Sequence, residues 1–419
     1  MSHLALRVTP QDYAPPTIIG RWRAPSLTVG VIALVVALIL GLNFGWELFL
    51  RGWLVGFLFW LGLTTGSLCL LMLQYTSGGN WGRVGRRFWE AAAGNLPLMS
   101  VFWLPIAFGM WHGQLYPWAN IPTDPAQHQA YLNHFGPEKI KYYLNPPLFL
   151  IRGAVYFLGW WLLYRFLMNW SKKEEAGETT PAQFVRVQNV SGFGIVFYAA
   201  TLTFASIDWA MSLYPEWWST VWGMLFMVGQ VLSSLAFTIW LLVKLAPLEP
   251  LSRMFKLDYL HDFGKLMFAF VVLWAYLSFS QWLIIWSGNM LSEIKWYLMR
   301  LRGGWQYFGT ALIFVHFVFP FALLLSRSLK RHGRRLILIA LLIMFMRMVD
   351  LFWLTAPNFY KGTESGFATF HLVDAAMYIV CPIAIGGIWL FFFYSRLEKR
   401  SLMPVNDPHF VEMLEAKHG

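Results

Sequence analysis

Five ionisable side chains fall inside stretches apolar enough to be buried in lipid: Asp208, Arg347, Asp350, His371 and Asp374. A charge at mid-bilayer costs about 2.5 to 3.5 kcal/mol on insertion scales, so it persists only where it faces protein or water, and there it commonly serves an ion, proton or substrate path. Arg347 and Asp350 are three residues apart and share a helix face. His371 and Asp374 repeat that spacing on the next apolar stretch, which must run the other way. The two pairs are therefore expected to face each other. Carboxyls taken out of water are suited to proton exchange near neutral pH, and an imidazole beside one can relay the proton. A buried Arg347–Asp350 ion pair that only holds helices together uses the same residues, and the sequence leaves both roles open.

By residue count, Asp350 and Asp374 are expected about five residues from the outer ends of their helices, roughly 7 to 8 Å deep. Asp208 and Arg152 fall at similar depth, whereas His316 is expected alone near a helix midpoint. Asp208, Arg347, Asp350, His371, Asp374 and His316 are thus the candidates for proton transfer. Asp208, His371, Asp374 and Arg152 are the candidates for contacting a quinone. No Asp or Glu is expected in the inner half of any helix, so a continuous proton wire would need Thr201, Thr203, Ser233, Ser234, Ser278, Ser280 and water. Those hydroxyls serve equally to bond backbone or neighbouring helices.

Cofactor chemistry is restricted. Membrane haem needs histidines at matching depth on facing helices, and His316 lacks a midplane partner, although His112 and His371 share the outer boundary. The two cysteines, Cys69 and Cys381, stand singly in apolar runs and make no cluster site. No haem or iron–sulfur centre is expected on this chain, and quinone is the redox carrier that remains. The aromatic content of 18% could line a quinone cleft, although interfacial belts and packing account for most such residues in membranes.

The elements that position these groups are read from composition. Of 419 residues 58% are hydrophobic and 13% charged, against about 25% charged in soluble domains. Ten apolar stretches can each cross a ~30 Å core, near 27–46, 53–75, 95–113, 147–170, 188–212, 218–245, 264–289, 304–327, 335–355 and 369–394. The expected fold is all-α, a ten-helix polytopic membrane domain over 27–394, with segment 1–26 before it and tail 395–419 after it. Arg21 and Arg23 precede a first stretch too long for a signal-peptide core, which reads as a retained helix. Of 32 Lys and Arg, 23 fall at the termini and alternate loops and 7 in the intervening loops, which puts both termini in the cytoplasm. The net charge of +11 thus reflects orientation in a membrane, not nucleic-acid binding.

Between helices, 114–146 carries Pro117, Pro122, Pro125 and Pro137 and suits an ordered outer cap without regular helix. Residues 171–187 read as a solvated linker, and 80–93, basic on one side and aromatic on the other, as an interfacial helix. Gly41 and Gly45, Gly52 and Gly56, and Gly62 and Gly66 form small-xxx-small spacings that let helices approach closely.

The run ASIDWAMSLYPEWWSTVWGM from Ala205 to Met224 resembles the membrane subunits of alternative complex III, bacterial quinol oxidoreductases built on polysulfide-reductase-type (NrfD-like) proteins. Segments SGGNWGRVGRRFWEAAAGNLPLM from Ser77, LYPWA from Leu115, KYYLNPPLFLIRG from Lys141, FSQWLIIWSGN from Phe279 and RMVDLFW from Arg347 narrow the similarity to the shorter, ActF-type subunits. The resemblance implies NrfD-like helix bundles in a bacterial cytoplasmic (inner) membrane. It also implies a larger ActC-type membrane subunit, an ActB-type iron–sulfur protein, ActA- and ActE-type multihaem and monohaem cytochromes c, a small ActD-type subunit and bound phospholipid as partners. In that family the quinol site is assigned mainly to the larger subunit, and ActF is linked with quinone binding and proton movement. The chain departs from the expected acidic stretch after WSGN, carrying Met290, Leu291, Ser292 and Glu293, which weakens any acid-mediated contact there. Three readings follow: a subunit supporting quinol oxidation with a proton-accessible outer cluster, a proton-coupled secondary transporter, and a scaffold whose charges only set helix register.

Overall fold

The structure, a computed structural model, describes residues 13–253, 255–360 and 370–407. The first twelve residues, most of the loop joining the last two helices and the tail from 408 lie outside the described residues. Sixteen α-helices are present among those described: α1 Ile18–Phe44, α2 Trp46–Ser77, α3 Asn80–Ala93, α4 Leu96–Trp111, α5 Pro125–Phe135, α6 Pro137–Tyr142, α7 Pro146–Glu175 and α8 Pro181–Trp209. They continue as α9 Trp222–Leu245, α10 Leu257–Gly288, α11 Leu291–Arg300, α12 Trp305–Ala311, α13 Phe319–Leu325, α14 Arg327–Arg331, α15 Gly333–Thr355 and α16 Leu372–Leu397. Among these residues nine helical spans are long and apolar enough to cross a membrane, or ten if α3 and α4, bent by 42°, count as one. The chain is an all-helical, polytopic membrane protein.

Two four-helix groupings share a wall. Helices α2, α4, α7 and α8 form the first, and α9, α10, α15 and the α12–α13 span form the second, with α2 packed on α9 between them. Helix α16 lies along α1 and α2. The central helices are apolar all round because no face of them meets lipid: α2 is 89% buried over its most apolar window and α1 17%. Large side chains such as Ile32, Phe193, Tyr276 and Phe345 stay exposed on the outer helices, as a lipid-facing surface requires.

The glycine spacings serve packing. A side chain at Gly52 would strike the Met377 carbonyl, at Gly56 the Pro382 backbone, and at Gly66 the Gln230 carbonyl. Gly30 and Gly387 lie backbone to backbone where α1 crosses α16.

Several local expectations are corrected. The proline-rich segment 114–146 contains α5 and α6, since Pro125, Pro137 and Pro146 sit in first turns, where a missing N–H costs nothing. Helix α3 forms over the expected residues, but Arg83, Val84, Arg86, Arg87, Phe88, Trp89 and Glu90 are all buried, so it is packed inside one end of the bundle instead of lying on a membrane surface. Helix α7 runs on to Glu175, with Glu174 buried, and α8 starts at Pro181 behind a Thr180–Gln183 capping box, which leaves 176–180 as the break in the expected linker. The described termini meet at the same end, where the Leu402 amide donates to the Tyr13 carbonyl (2.9 Å). That end is called the near end below.

Candidate functional site

The residues singled out by charge resolve into three separate groups. No hydrogen bond or ion pair links one group to another among the described residues. Helices α15 and α16 touch through Phe352 and Tyr378, 4.9 Å between ring centres, but their main packing is not on each other: α15 packs on α9 and α2, and α16 on α1 and α2.

The first group is in the second bundle. Arg347 and Asp350 form an ion pair within α15, each side chain 2% exposed. Trp274 of α10 donates its indole N–H to Asp350 Oδ2 (3.0 Å). The guanidinium occupies space that exists only because position 229 of α9 is glycine, and it lies 5.6 Å from the Phe226 ring centre. His316 joins this group through Trp274, edge to face at 4.4 Å between ring centres. It is fully buried, and neither ring nitrogen meets a hydrogen-bond partner among the described residues. Leu312–Val318, which carries His316, is a π-helix. Pro320 has no N–H to offer the His316 carbonyl, so the ordinary i→i+4 ladder is interrupted there and the helix widens. Buried polar atoms are nearly always satisfied, and the exceptions gather where water, ions or protons are handled. Asp350 lies five residues from the α15 terminus, or about 7.5 Å at 1.5 Å per residue. His316 is eleven residues into the Trp305–Leu325 span, about 16 Å deep.

The second group is in the first bundle. Arg152 of α7 grips Asp208 of α8 with two bonds, Nε to Oδ2 (2.9 Å) and a terminal nitrogen to Oδ1 (2.8 Å). Tyr156 donates to the same carboxylate (2.8 Å), and the third guanidinium nitrogen donates to the Tyr143 carbonyl (3.0 Å). Both carboxylate oxygens of Asp208 are thus bound, because residues 152 and 208 lie at one depth on adjacent antiparallel helices, as their expected depths implied.

The third group turns out to be a helix start. Helix α16 begins at Leu372, so Asp374 lies in its first turn, not five residues deep. Its Oδ2 accepts from the His371 amide (2.7 Å) and its Oδ1 from the Tyr360 hydroxyl (2.6 Å), the geometry of a capping box. The His371 side chain is exposed.

Four of the hydroxyls considered as wire bond backbone. Thr201, Thr203 and Ser233 donate to carbonyls of their own helices, and Ser234 donates across to Leu63 (3.0 Å).

Charge reasoning overlooked two arrangements. Arg300 is fully buried and stacked 3.4 Å from the Trp296 ring centre; it donates to the Trp353 (3.1 Å) and Leu354 (2.8 Å) carbonyls at the end of α15. Burial pushes the neighbouring Tyr297 hydroxyl up to about 12. At the near end, Arg83, Arg86, Arg87 and Arg400 meet Glu90, Glu174, Glu175 and Asp407 in a largely buried network. Four arginines balancing four acids, with Arg86 and Glu90 one helical turn apart, were the available signal. Glu90 within α3 and Glu174 and Glu175 in the last turn of α7 put acids on helices at the near end, in segments read from sequence as an interfacial helix and a linker.

Among the described residues no group of three His, Cys, Asp or Glu side chains is placed to hold a metal ion. No protein-family model matches this chain, and no curated protein matches it in sequence.

Proposed function

We propose that the chain is an integral membrane subunit of a quinol oxidoreductase of the alternative complex III type, in which Arg347, Asp350, Trp274 and His316 form a proton-exchange centre. The observation that carries the proton role is His316: an imidazole at mid-span, buried, with both nitrogens unpartnered among the described residues and an acid–arginine pair behind the tryptophan it touches. Imidazole is the side chain whose charge changes most readily near neutral pH, and intramembrane ionisable groups mark proton relays. The subunit role is supported by the sequence segments that resemble ActF. Two of them supply Arg347, Asp350 and Asp208, and a third supplies Arg152. In this reading the near end faces the bacterial cytoplasm. Electrons reach a periplasmic acceptor through an iron–sulfur protein and cytochromes c beside a larger membrane subunit, while this chain moves protons and carries no redox centre of its own.

The widened helix around His316 favours a second reading, a proton-coupled secondary transporter, since such proteins interrupt helices near the midplane at their binding sites. Purification under mild detergent separates the two. Co-isolated subunits with covalently bound c-type haem support the oxidoreductase, and an isolated chain with proton-linked uptake supports the transporter. Within the complex, His316→Phe tests the proton centre, because phenyl keeps the edge-to-face contact and removes both nitrogens. Quinol-driven proton release should fall at least tenfold with assembly intact. Unchanged release and turnover would reject the role given to His316.

A further inference from the structure

The near end holds an arrangement the proton centre does not use. Beside the balanced arginine–carboxylate network, a pocket of about 290 Å³ opens between α3, α7 and the end of α16. Its wall adds three cations, Lys172, Arg396 and Lys399, none ion-paired with a carboxylate among the described residues. Arg396 instead donates to the Asn95 side-chain oxygen and the Phe392 carbonyl (3.2 Å). The pocket therefore presents positive charge in excess of a network that is already neutral.

A second depression, of about 250 Å³, is lined by the start of α4 and the middle of α7, chiefly Leu96, Pro97, Phe157, Leu158 and Trp161. It is apolar apart from Ser100, whose hydroxyl donates to the Pro97 carbonyl (2.7 Å). Along α7, Phe157, Trp161, Tyr164, Met168 and Lys172 follow one another at helical spacing, so one stripe runs from the apolar groove into the basic pocket. Gly94 lies at the join: a side chain there would collide with Arg396 and approach the Tyr164 hydroxyl. The bare backbone at Gly94 lets the Arg396 and Tyr164 side chains pack onto the turn between α3 and α4, beside both depressions.

We propose that this stripe is a binding site for one anionic phospholipid, with its phosphate between Lys172, Arg396 and Lys399 and an acyl chain in the groove between α4 and α7. Charge complementarity selects the occupant. Free phosphate would satisfy the cations and leave the groove unused; a zwitterionic lipid would fill the groove and leave the excess charge unanswered. An amphiphile with net negative headgroup answers both, and basic pockets between helices at a membrane boundary recognise such headgroups. The site lies at the opposite end of the bundle from Asp350, so its failure would leave the proton centre untouched.

The test uses the full chain in neutral detergent, with thermal unfolding followed as phosphatidylglycerol, phosphatidylcholine or inorganic phosphate is added. Phosphatidylglycerol should raise the midpoint by several degrees, and the other two by less than a third as much. Lys172→Gln with Lys399→Gln, both exposed positions, should shift the phosphatidylglycerol response to at least tenfold higher lipid concentration. Ser100→Phe, which fills the groove and keeps every charge, should do the same. Native mass spectrometry of the purified wild type provides a readout independent of the variants, with one retained phosphatidylglycerol-class lipid expected. Equal stabilisation by phosphatidylcholine, stabilisation by phosphate alone, or undiminished response in both variants would overturn the proposal.

Discussion

Replacing Asp350 by Asn tests whether Arg347 depends on a buried countercharge. Both side chains are 2% exposed, and Asp350 Oδ2 accepts from Arg347 and from the Trp274 indole. Asparagine keeps the shape and can still accept from Trp274, but it leaves a guanidinium wedged against Gly229 with no anion to meet it. Removing one partner of a buried pair costs about 3 to 5 kcal/mol. Asp350→Leu also orphans the indole N–H, adding about 1 to 3 kcal/mol. Arg347→Leu with Asp350→Leu removes both charges and should retain only that last penalty, about 1 to 3 kcal/mol. Unfolding of the detergent-solubilised chain at neutral pH, followed by circular dichroism, should therefore order the proteins as wild type, double variant, Asp350→Asn, Asp350→Leu, from most to least stable. If Asp350→Asn unfolds within about 0.5 kcal/mol of wild type, a threshold far below the cost of an unpaired buried charge, the ion-pair reasoning is wrong.

Other perturbations probe the remaining elements. Asp374→Asn should leave melting and proton release unchanged within error, because asparagine can also accept from the His371 amide; a tenfold loss of proton release would restore Asp374 to the proton path. Asp208→Asn should cost less than Asp350→Asn in the same unfolding assay, about 1 to 3 kcal/mol, since its partner Arg152 is 18% exposed and reaches water. Gly66→Ala should destabilise by about 1 to 3 kcal/mol, because the added methyl must push α2 from the Gln230 carbonyl on α9. Arg300→Lys should lower the melting point although charge is conserved, since an ammonium cannot reproduce the fork that meets the Trp353 and Leu354 carbonyls or the stack on Trp296.

What the sequence by itself determined is the solvent and the periodic order of the chain. Twenty apolar residues in a row have few fates other than a membrane helix, because a backbone taken out of water must satisfy its own hydrogen bonds. Nine of the ten expected spans, approximate helix ends and the burial of Asp208, Arg347 and Asp350 follow from that local constraint, as do the glycines that let helices touch; the span expected at 95–113 is α4, which is long enough only together with the bent α3. Neighbour relations do not. The reading of α15 and α16 as facing partners used chain order alone, and α2, more than two hundred residues earlier in the chain, became the helix on which both of them pack. His316 was expected to be alone because its neighbour Trp274 bears no charge, and only the assembled bundle sets that ring between the imidazole and Asp350. Likewise Glu174 and Arg86, read as linker and membrane surface, become buried partners once α3 folds into the end of the bundle. Lipid sets which residues form helices; which face meets which is set by glycine contacts and paired charges spread across the whole chain, and those exist only after the helices have packed.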